Sequence, residues 1–191
     1  KPIFLFTMHP LSFSLSTTKK EINASLNALS KAINKFNADC IITYPNNDAG
    51  SEYIVKSIKS FNNSNKNVRL YKSLGRKDYW GIMSLSRFNF KVVCIGNSSS
   101  GIKESSAFNC PTINIGKRQG GRLTGENILY CTANEEKILI AISKSIENKD
   151  FIKKCKESKN PYGRGQAGKK IAVHLNSLII DEKILLKKMI I

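Results

Sequence analysis

The chain has 191 residues, of which 41% are hydrophobic and 8% aromatic, so it can bury a core and is not disordered by composition. No apolar run approaches the about 18 residues of a membrane-spanning helix, and no signal-peptide pattern is present, so we expect no membrane association. The net charge is +17, but the lysines are scattered and the aromatic residues do not interleave with them, so composition does not favour nucleic-acid binding.

The first third of the chain alternates strand and helix patterns. Residues 2–8 read as a buried strand, and the chain begins directly in this run without Met, so we expect a piece of a longer protein. A long helix follows, with Ser16 or Thr17 as the candidate cap, and 40–44 is the next strand. Ser51 is predicted to cap a second helix. The helix faces are formed by Ile22, Leu26, Leu29, Ile33 and Phe36, then by Ile54, Ile58 and Phe61.

The middle of the chain continues the alternation. The third strand is predicted at 68–72 and a helix around 77–87. The fourth strand is predicted at 91–96, a short helix at 101–108 and the fifth strand at 112–116.

The last third begins with a sixth strand at 126–131 and an amphipathic helix at 135–146. A Pro- and Gly-containing stretch at 160–168 precedes a final helix. We predict one domain over 1–180 and a C-terminal tail over 181–191. The apolar positions of the final helix are Ile171, Val173, Leu175 and Leu178.

This alternation predicts an α/β fold with a doubly wound parallel sheet, and the near-continuous apolar strands imply that helices cover both of its faces. Ligands of such folds bind beyond the carboxyl ends of the strands. Polar residues gather at these predicted ends, at 9–10, 46–48, 73–75, 97–101 and 117–118.

The stretch from Ser98 to Glu104 is the most informative of these. The start of a helix offers unpaired N–H groups to an anion, Ser98 and Ser99 add hydroxyl donors, and Gly101 would allow close approach of the backbone. Glu104, expected one turn into the helix, would accept hydrogen bonds from a neutral diol. Phosphate donors and a diol acceptor together indicate a nucleotide. A plain capping turn with a surface glutamate is the alternative, and no dinucleotide or P-loop motif is present.

Other strand-end residues are candidates for the same site. His9 could donate to a phosphate or a leaving oxygen, Arg118 could neutralise a diphosphate, and Asn46 and Asp48 could line the pocket. Each of these could equally be structural. The five cysteines show no CxxC spacing, so we expect buried free thiols in a reducing cytoplasm, and we predict neither a metal nor a cofactor.

Four segments, in order along the chain, resemble the hydrolysing UDP-N-acetylglucosamine 2-epimerases of sialic acid and capsule biosynthesis. They are HP at 9–10, YPNNDAGS at 44–51, IGNSSSGIKESSAFNCPTINIGKRQGGRLTGENI at 95–128 and NPYGRGQAGKKI at 160–171. The resemblance implies the C-terminal, Rossmann-like half of a two-domain enzyme of the glycosyltransferase-B type.

The resemblance also implies roles for individual residues. Ser98 and Ser99 would hold phosphate at the helix N-terminus, Ser100 would bind the nucleotide beside them, and Glu104 would bind the ribose hydroxyls. The uracil pocket would form near Leu74, mostly from backbone groups. The remaining implied contacts are His9 and Arg118 near the diphosphate as catalytic residues, and Asn46, Asp48 and Gly101 in the nucleotide pocket.

The implied reaction eliminates UDP from UDP-N-acetylglucosamine and then adds water, giving N-acetylmannosamine and UDP. The acid/base carboxylates are expected on an N-terminal domain that this chain does not contain, so little or no turnover is expected from it alone. A cytoplasmic homo-oligomer is expected at full length. An epimerase acting on another nucleotide sugar, as in legionaminic acid synthesis, a sugar-nucleotide glycosyltransferase and a non-enzymatic basic binding module remain alternatives.

Overall fold

The computed structural model describes residues 1–163 and 165–186. Its six strands are β1 (Ile3–Thr7), β2 (Asp39–Thr43), β3 (Val68–Tyr71), β4 (Val92–Gly96), β5 (Thr112–Ile115) and β6 (Ile128–Cys131). They form one parallel sheet in the order β3-β2-β1-β4-β5-β6. The order reverses between β1 and β4, so the topological switch point lies between these two strands.

Eight helices connect or follow the strands in the described part of the chain. They are α1 (Leu15–Phe36), α2 (Ser51–Asn63), α3 (Gly75–Ser84), α4 (Ser99–Lys103), α5 (Glu135–Glu147), α6 (Lys149–Glu157), α7 (Ala167–Ser177) and α8 (Glu182–Leu185). Two 3-10 turns, Leu85–Phe88 and Ser105–Phe108, follow α3 and α4.

The sheet is covered on both faces, as the apolar strands predicted. Phe4 and Phe6 of β1 point to one face and pack in a cluster that includes Ile22 of α1. Leu5 points to the other face and packs with Met83 of α3. Alternate residues of a strand face opposite sides of a sheet, so a continuous apolar run fits a strand buried on both sides.

Two of the predicted helix starts are wrong by one to three residues. The cap of α1 is Ser14, whose side chain accepts a hydrogen bond from the N–H of Thr17, rather than Ser16 or Thr17. Ser51 is the first residue of α2 and not its cap. Gly50 occupies the cap position with a φ of 92°, a left-handed conformation that glycine adopts without steric penalty.

The rest of the chain differs from the prediction in two ways. The helix expected at 101–108 is divided into α4 and a 3-10 turn, and α6 was not predicted because its nine residues contain few apolar positions. All five cysteines are free thiols. The prediction that they are buried is confirmed for four of them, whereas Cys131 is half-buried.

The chain forms two compact units, Lys1–Pro161 and Tyr162–Ile191. The second unit contains α7 and α8, and the apolar side chains of α7 are exposed there. The predicted domain limits at 1–180 and 181–191 stay predictions. Arg164 of the fourth resemblance segment and residues 187–191 of the tail lie outside the described residues. Among the described helices, none has the length and apolarity to cross a membrane.

Candidate functional site

A polar cavity of about 520 Å³ lies at the carboxyl ends of the central strands. Thr7 and Thr43, the last residues of β1 and β2, contribute to its lining. The structure brings six of the predicted site residues together in the wall of this cavity: His9, Leu74, Ser98, Ser99, Ser100 and Glu104. Asn46, Asp48 and Arg118 do not line the cavity but interact with His9, and Gly101 does not line it either.

His9 follows β1 and is held in one orientation by its neighbours. The backbone N–H of Asn46 donates to His9 Nδ1 at 2.9 Å, which assigns the proton of the neutral ring to Nε2. Nε2 lies 3.4 Å from Ser98 Oγ. The imidazole therefore directs its N–H toward the start of α4.

The His9 ring is neutral at physiological pH. Burial, assisted by the positive charge of Arg118, lowers the pKa of His9 to about 4. The Asn46 side chain and the Asp48 carboxylate favour the charged ring and act in the opposite direction, but they do not outweigh the burial. His9 can consequently donate a hydrogen bond at neutral pH but carries no charge there.

Asn97, directly after β4, ties three strand ends together. Its Oδ1 accepts from the backbone N–H of His9 at 2.7 Å, and its Nδ2 donates to the His9 carbonyl at 2.9 Å. Its own carbonyl accepts from Gln119 Nε2 at 2.8 Å and from Arg118 Nη1 at 3.2 Å. The side chain is fully buried, so Asn97 positions both His9 and the loop after β5.

The start of α4 differs in detail from the sequence interpretation. Ser98 is the cap, and its side chain accepts from the N–H of Ser100 at 3.4 Å. Gly101 is buried in the helix, where an added Cβ would lie 3.1 Å from Thr112 of β5. Close packing of α4 on the sheet thus explains the glycine structurally, and its role in ligand binding stays a prediction.

Glu104 lies at the end of α4, not one turn inside a longer helix. Its Oε2 accepts a hydrogen bond of 2.5 Å from Nε1 of Trp80 in α3. Trp80 also lines the cavity and was not predicted from the sequence. Because these residues are 24 positions apart and lie on different elements, no local pattern indicated the pair.

Asn46 and Asp48 form a polar pair next to His9. Asn46 Nδ2 donates to the exposed carboxylate of Asp48, while Asn46 Oδ1 is buried without a hydrogen-bond partner in the structure. The pair therefore leaves an acceptor next to His9.

Hydroxyl groups at the base of the cavity were also missed. Thr7 Oγ1 lies 2.6 Å from Thr43 Oγ1 and 3.3 Å from the Tyr79 hydroxyl. Burial raises the pKa of Tyr79, so its hydroxyl remains protonated and available as a donor. A threonine one position before the end of each of the predicted strands 2–8 and 40–44 was the available signal. Within the described ranges, no three His, Cys, Asp or Glu side chains group as metal ligands would.

The parallel sheet with a polar cavity at its switch point defines an α/β protein of the Rossmann-like class, whose ligands bind at this edge. A family model described as UDP-N-acetylglucosamine 2-epimerase matches residues 1–176, and the chain belongs to that family. The family predicted from the resemblance is confirmed.

Curated relatives agree with this assignment. The GDP/UDP-N,N'-diacetylbacillosamine 2-epimerase (hydrolyzing) of Campylobacter jejuni is 36% identical over 153 residues, which are 79% of this chain and 37% of the relative. The polysialic acid biosynthesis protein P7 of Escherichia coli is 32% identical over 167 residues, 87% of this chain and 40% of the relative. The chain thus spans about two fifths of the length of these relatives.

Solved structures show the same fold. The UDP-GlcNAc 2-epimerase of Neisseria meningitidis, bound to UDP-GlcNAc, superposes with a TM-score of 0.73 at 18% identity. A Listeria monocytogenes structure titled "putative UDP-N-acetylglucosamine 2-epimerase" gives a TM-score of 0.72 at 14% identity. In both cases the match covers 93% of this chain and 45% of the other, and the doubly wound fold predicted for one half of a glycosyltransferase-B-type enzyme is confirmed.

Proposed function

We propose that this chain is the UDP-binding half of a hydrolysing nucleotide-sugar 2-epimerase, with UDP-N-acetylglucosamine as the substrate. The observation that carries the proposal is the cavity at the switch point, where a neutral histidine, three serines and a carboxylate share one wall. The family membership and the UDP-GlcNAc bound in the Neisseria meningitidis structure support the same ligand class.

The diphosphate would lie against Ser98, Ser99 and Ser100. Their hydroxyl and backbone N–H groups donate, and the Nε2–H of His9 points to the same place. Arg118 would add positive charge near the site. Its Nη1 donates to the Asn97 carbonyl, and a guanidinium has five N–H donors in all.

Glu104 would accept from the ribose hydroxyls. A carboxylate repels phosphate but accepts hydrogen bonds from a neutral diol, and Glu104 lines the same cavity as the serines. The uracil ring would lie near the backbone of Leu74, which also lines the cavity. Asn46, Asp48 and Gly101 would lie at the edge of the nucleotide pocket.

In the proposed reaction a base removes the proton at C2 of the sugar while the C1–O bond breaks, and UDP leaves with the electron pair. Water then adds to the resulting glycal, its oxygen to C1 and a proton to C2, which gives N-acetylmannosamine. His9 and Arg118 would stabilise the charge that develops on the leaving diphosphate. The catalytic base would belong to the other half of the enzyme. The proposal also includes a cytoplasmic homo-oligomer at full length.

A second candidate is the same reaction on UDP-N,N'-diacetylbacillosamine. The names of two relatives, from Campylobacter jejuni at 36% identity and Legionella pneumophila at 28%, favour it. The residues proposed here contact phosphate and ribose, so they do not distinguish the two sugars.

Calorimetry with UDP tests the binding site directly. We expect UDP to bind, and Ser99→Ala or Glu104→Ala to weaken binding about tenfold, as the loss of one hydrogen bond to a charged group predicts. Ser143→Ala is the matched control, since Ser143 lies on α5 outside the cavity and bonds to exposed Lys35. No binding of UDP at millimolar concentration, or steeply salt-dependent binding of duplex DNA instead, contradicts the proposal.

Product analysis distinguishes the enzyme classes. NMR of the two-domain enzyme that contains this chain, incubated with each UDP-sugar and no acceptor, should show UDP and the free 2-epimer of the substrate that it uses. A sugar found only on an added acceptor would favour a glycosyltransferase.

A further inference from the structure

Trp80 is the only tryptophan of the chain, and it is built into the wall of the cavity. Its indole N–H donates to Glu104 Oε2 at 2.5 Å. The two residues come from α3 and from the end of α4, so this bond joins the two elements across the cavity wall.

The indole ring makes two further contacts. The Phe108 ring packs against it with 5.9 Å between the ring centroids and 49° between the planes. The Arg76 guanidinium lies over the indole ring, 5.2 Å from the ring centroid. The hydrogen bond to Glu104 sets the direction of the indole N–H, and the two ring contacts pack Trp80 against its neighbours.

We propose that Trp80 is a positioning residue that presents the Glu104 carboxylate to the vicinal hydroxyls of a nucleotide ribose. This inference rests on the proposed function and deepens it by naming the residue that determines discrimination for ribose. Trp80 acts through Glu104 and makes no contact with the reacting atoms of the sugar.

The chemistry of the carboxylate supports this role. An ionised carboxylate offers about four acceptor positions on its two oxygens, and the indole N–H occupies one of them. Oε1 and the second position of Oε2 remain for two neighbouring hydroxyl groups. A free glutamate side chain would lose several rotatable bonds of freedom on binding, and the bond to Trp80 removes that loss in advance.

A plain structural role for Trp80 makes a different prediction. If the residue only packed α3 against the 3-10 turn that contains Phe108, its replacement would weaken every ligand of the cavity to the same extent. If it positions Glu104, its replacement weakens only ligands that carry the ribose hydroxyls.

The experiment compares UDP with 2',3'-dideoxyuridine diphosphate by calorimetry, using the wild-type chain, Trp80→Phe and Glu104→Gln. Phe108→Leu is the matched control, because it removes the ring contact and leaves the indole N–H in place. Circular dichroism and thermal unfolding establish that each variant is folded.

We expect the wild type to prefer UDP over the dideoxy analogue. Trp80→Phe should weaken UDP binding about tenfold, as the loss of one charge-assisted hydrogen bond predicts, and should leave the affinity for the analogue within about twofold of the wild type. Glu104→Gln should also reduce the preference, and Phe108→Leu should keep it.

Equal weakening of both ligands by Trp80→Phe, or no weakening of UDP, overturns the role of Trp80 while the proposed function stands. Failure of the wild type to bind UDP overturns both proposals. Fluorescence of the wild-type chain is a second measurement that needs no folded variant, because all indole emission comes from Trp80. UDP should change that emission more than the dideoxy analogue does, and equal changes overturn the inference.

Discussion

Replacing Asn97 by alanine should loosen the strand ends that form the site. The substitution removes two hydrogen bonds to His9, of 2.7 and 2.9 Å, in a place where Asn97 is fully buried. The N–H and carbonyl of His9 then lose their partner, and each such group costs about 1–3 kcal/mol when it is left unpaired. We expect a loss of about 3 kcal/mol in the free energy of unfolding.

Thermal unfolding followed by circular dichroism measures this effect. For a chain of this length a loss of about 3 kcal/mol lowers the Tm by about 6–12 °C. Asn114→Ala is the control, since Asn114 is also buried at the end of a neighbouring strand but makes a single bond of 3.3 Å to the Gly116 carbonyl. A Tm for Asn97→Ala no lower than that of the control would refute the reasoning. UDP affinity should fall as well, because His9 and Ser98 lose their common support.

Two further predictions concern stability. Because the pKa of His9 is about 4 in the folded chain and 6.5 is its ordinary value, the unfolded chain binds more protons between these pH values. The stabilisation due to the neutral ring is complete above about pH 6.5, and the free energy of unfolding decreases by about 2 kcal/mol as the pH is lowered from 7 to 5. Urea unfolding at several pH values should show a smaller decrease for His9→Gln than for the wild type. An equal decrease in both contradicts the assignment. Gly96→Ala should cost more than about 3 kcal/mol, because φ is 131° and the new Cβ would lie 2.0 Å from the Thr7 carbonyl oxygen. Gly81→Ala, in open space on α3, should instead be stabilising by about 0.5–1 kcal/mol, and equal unfolding energies for the two variants would contradict the packing argument.

The predictions that held depended on patterns within short segments. Apolar residues spaced alternately by four and three positions located α1, and continuous apolar runs located the strands. The predictions that failed concerned element ends: Gly50 rather than Ser51 caps α2, and the helix expected at 101–108 breaks at Glu104. The ends of helices depend on individual hydrogen bonds and on the φ of single residues. Several neighbouring positions of a sequence can meet these conditions, so the terminal residue is not defined by the pattern.

The sequence alone determined that polar groups would meet at one edge of a parallel sheet. This followed because the carboxyl ends of parallel strands share an edge, so strand-end residues such as His9 and Ser98 are brought together whatever the details of packing.

Only the tertiary structure decided what these groups do to one another. Asn97 reaches His9 across 88 positions, and Trp80 reaches Glu104 across 24, because the strand order places β1 beside β4 and α3 beside the end of α4. The neutral state of His9 likewise follows from its burial and from the charge of Arg118. Hydrogen bonds and desolvation depend on distances of a few ångströms between segments that are remote in the sequence. The spacing of residues along the chain does not determine these distances.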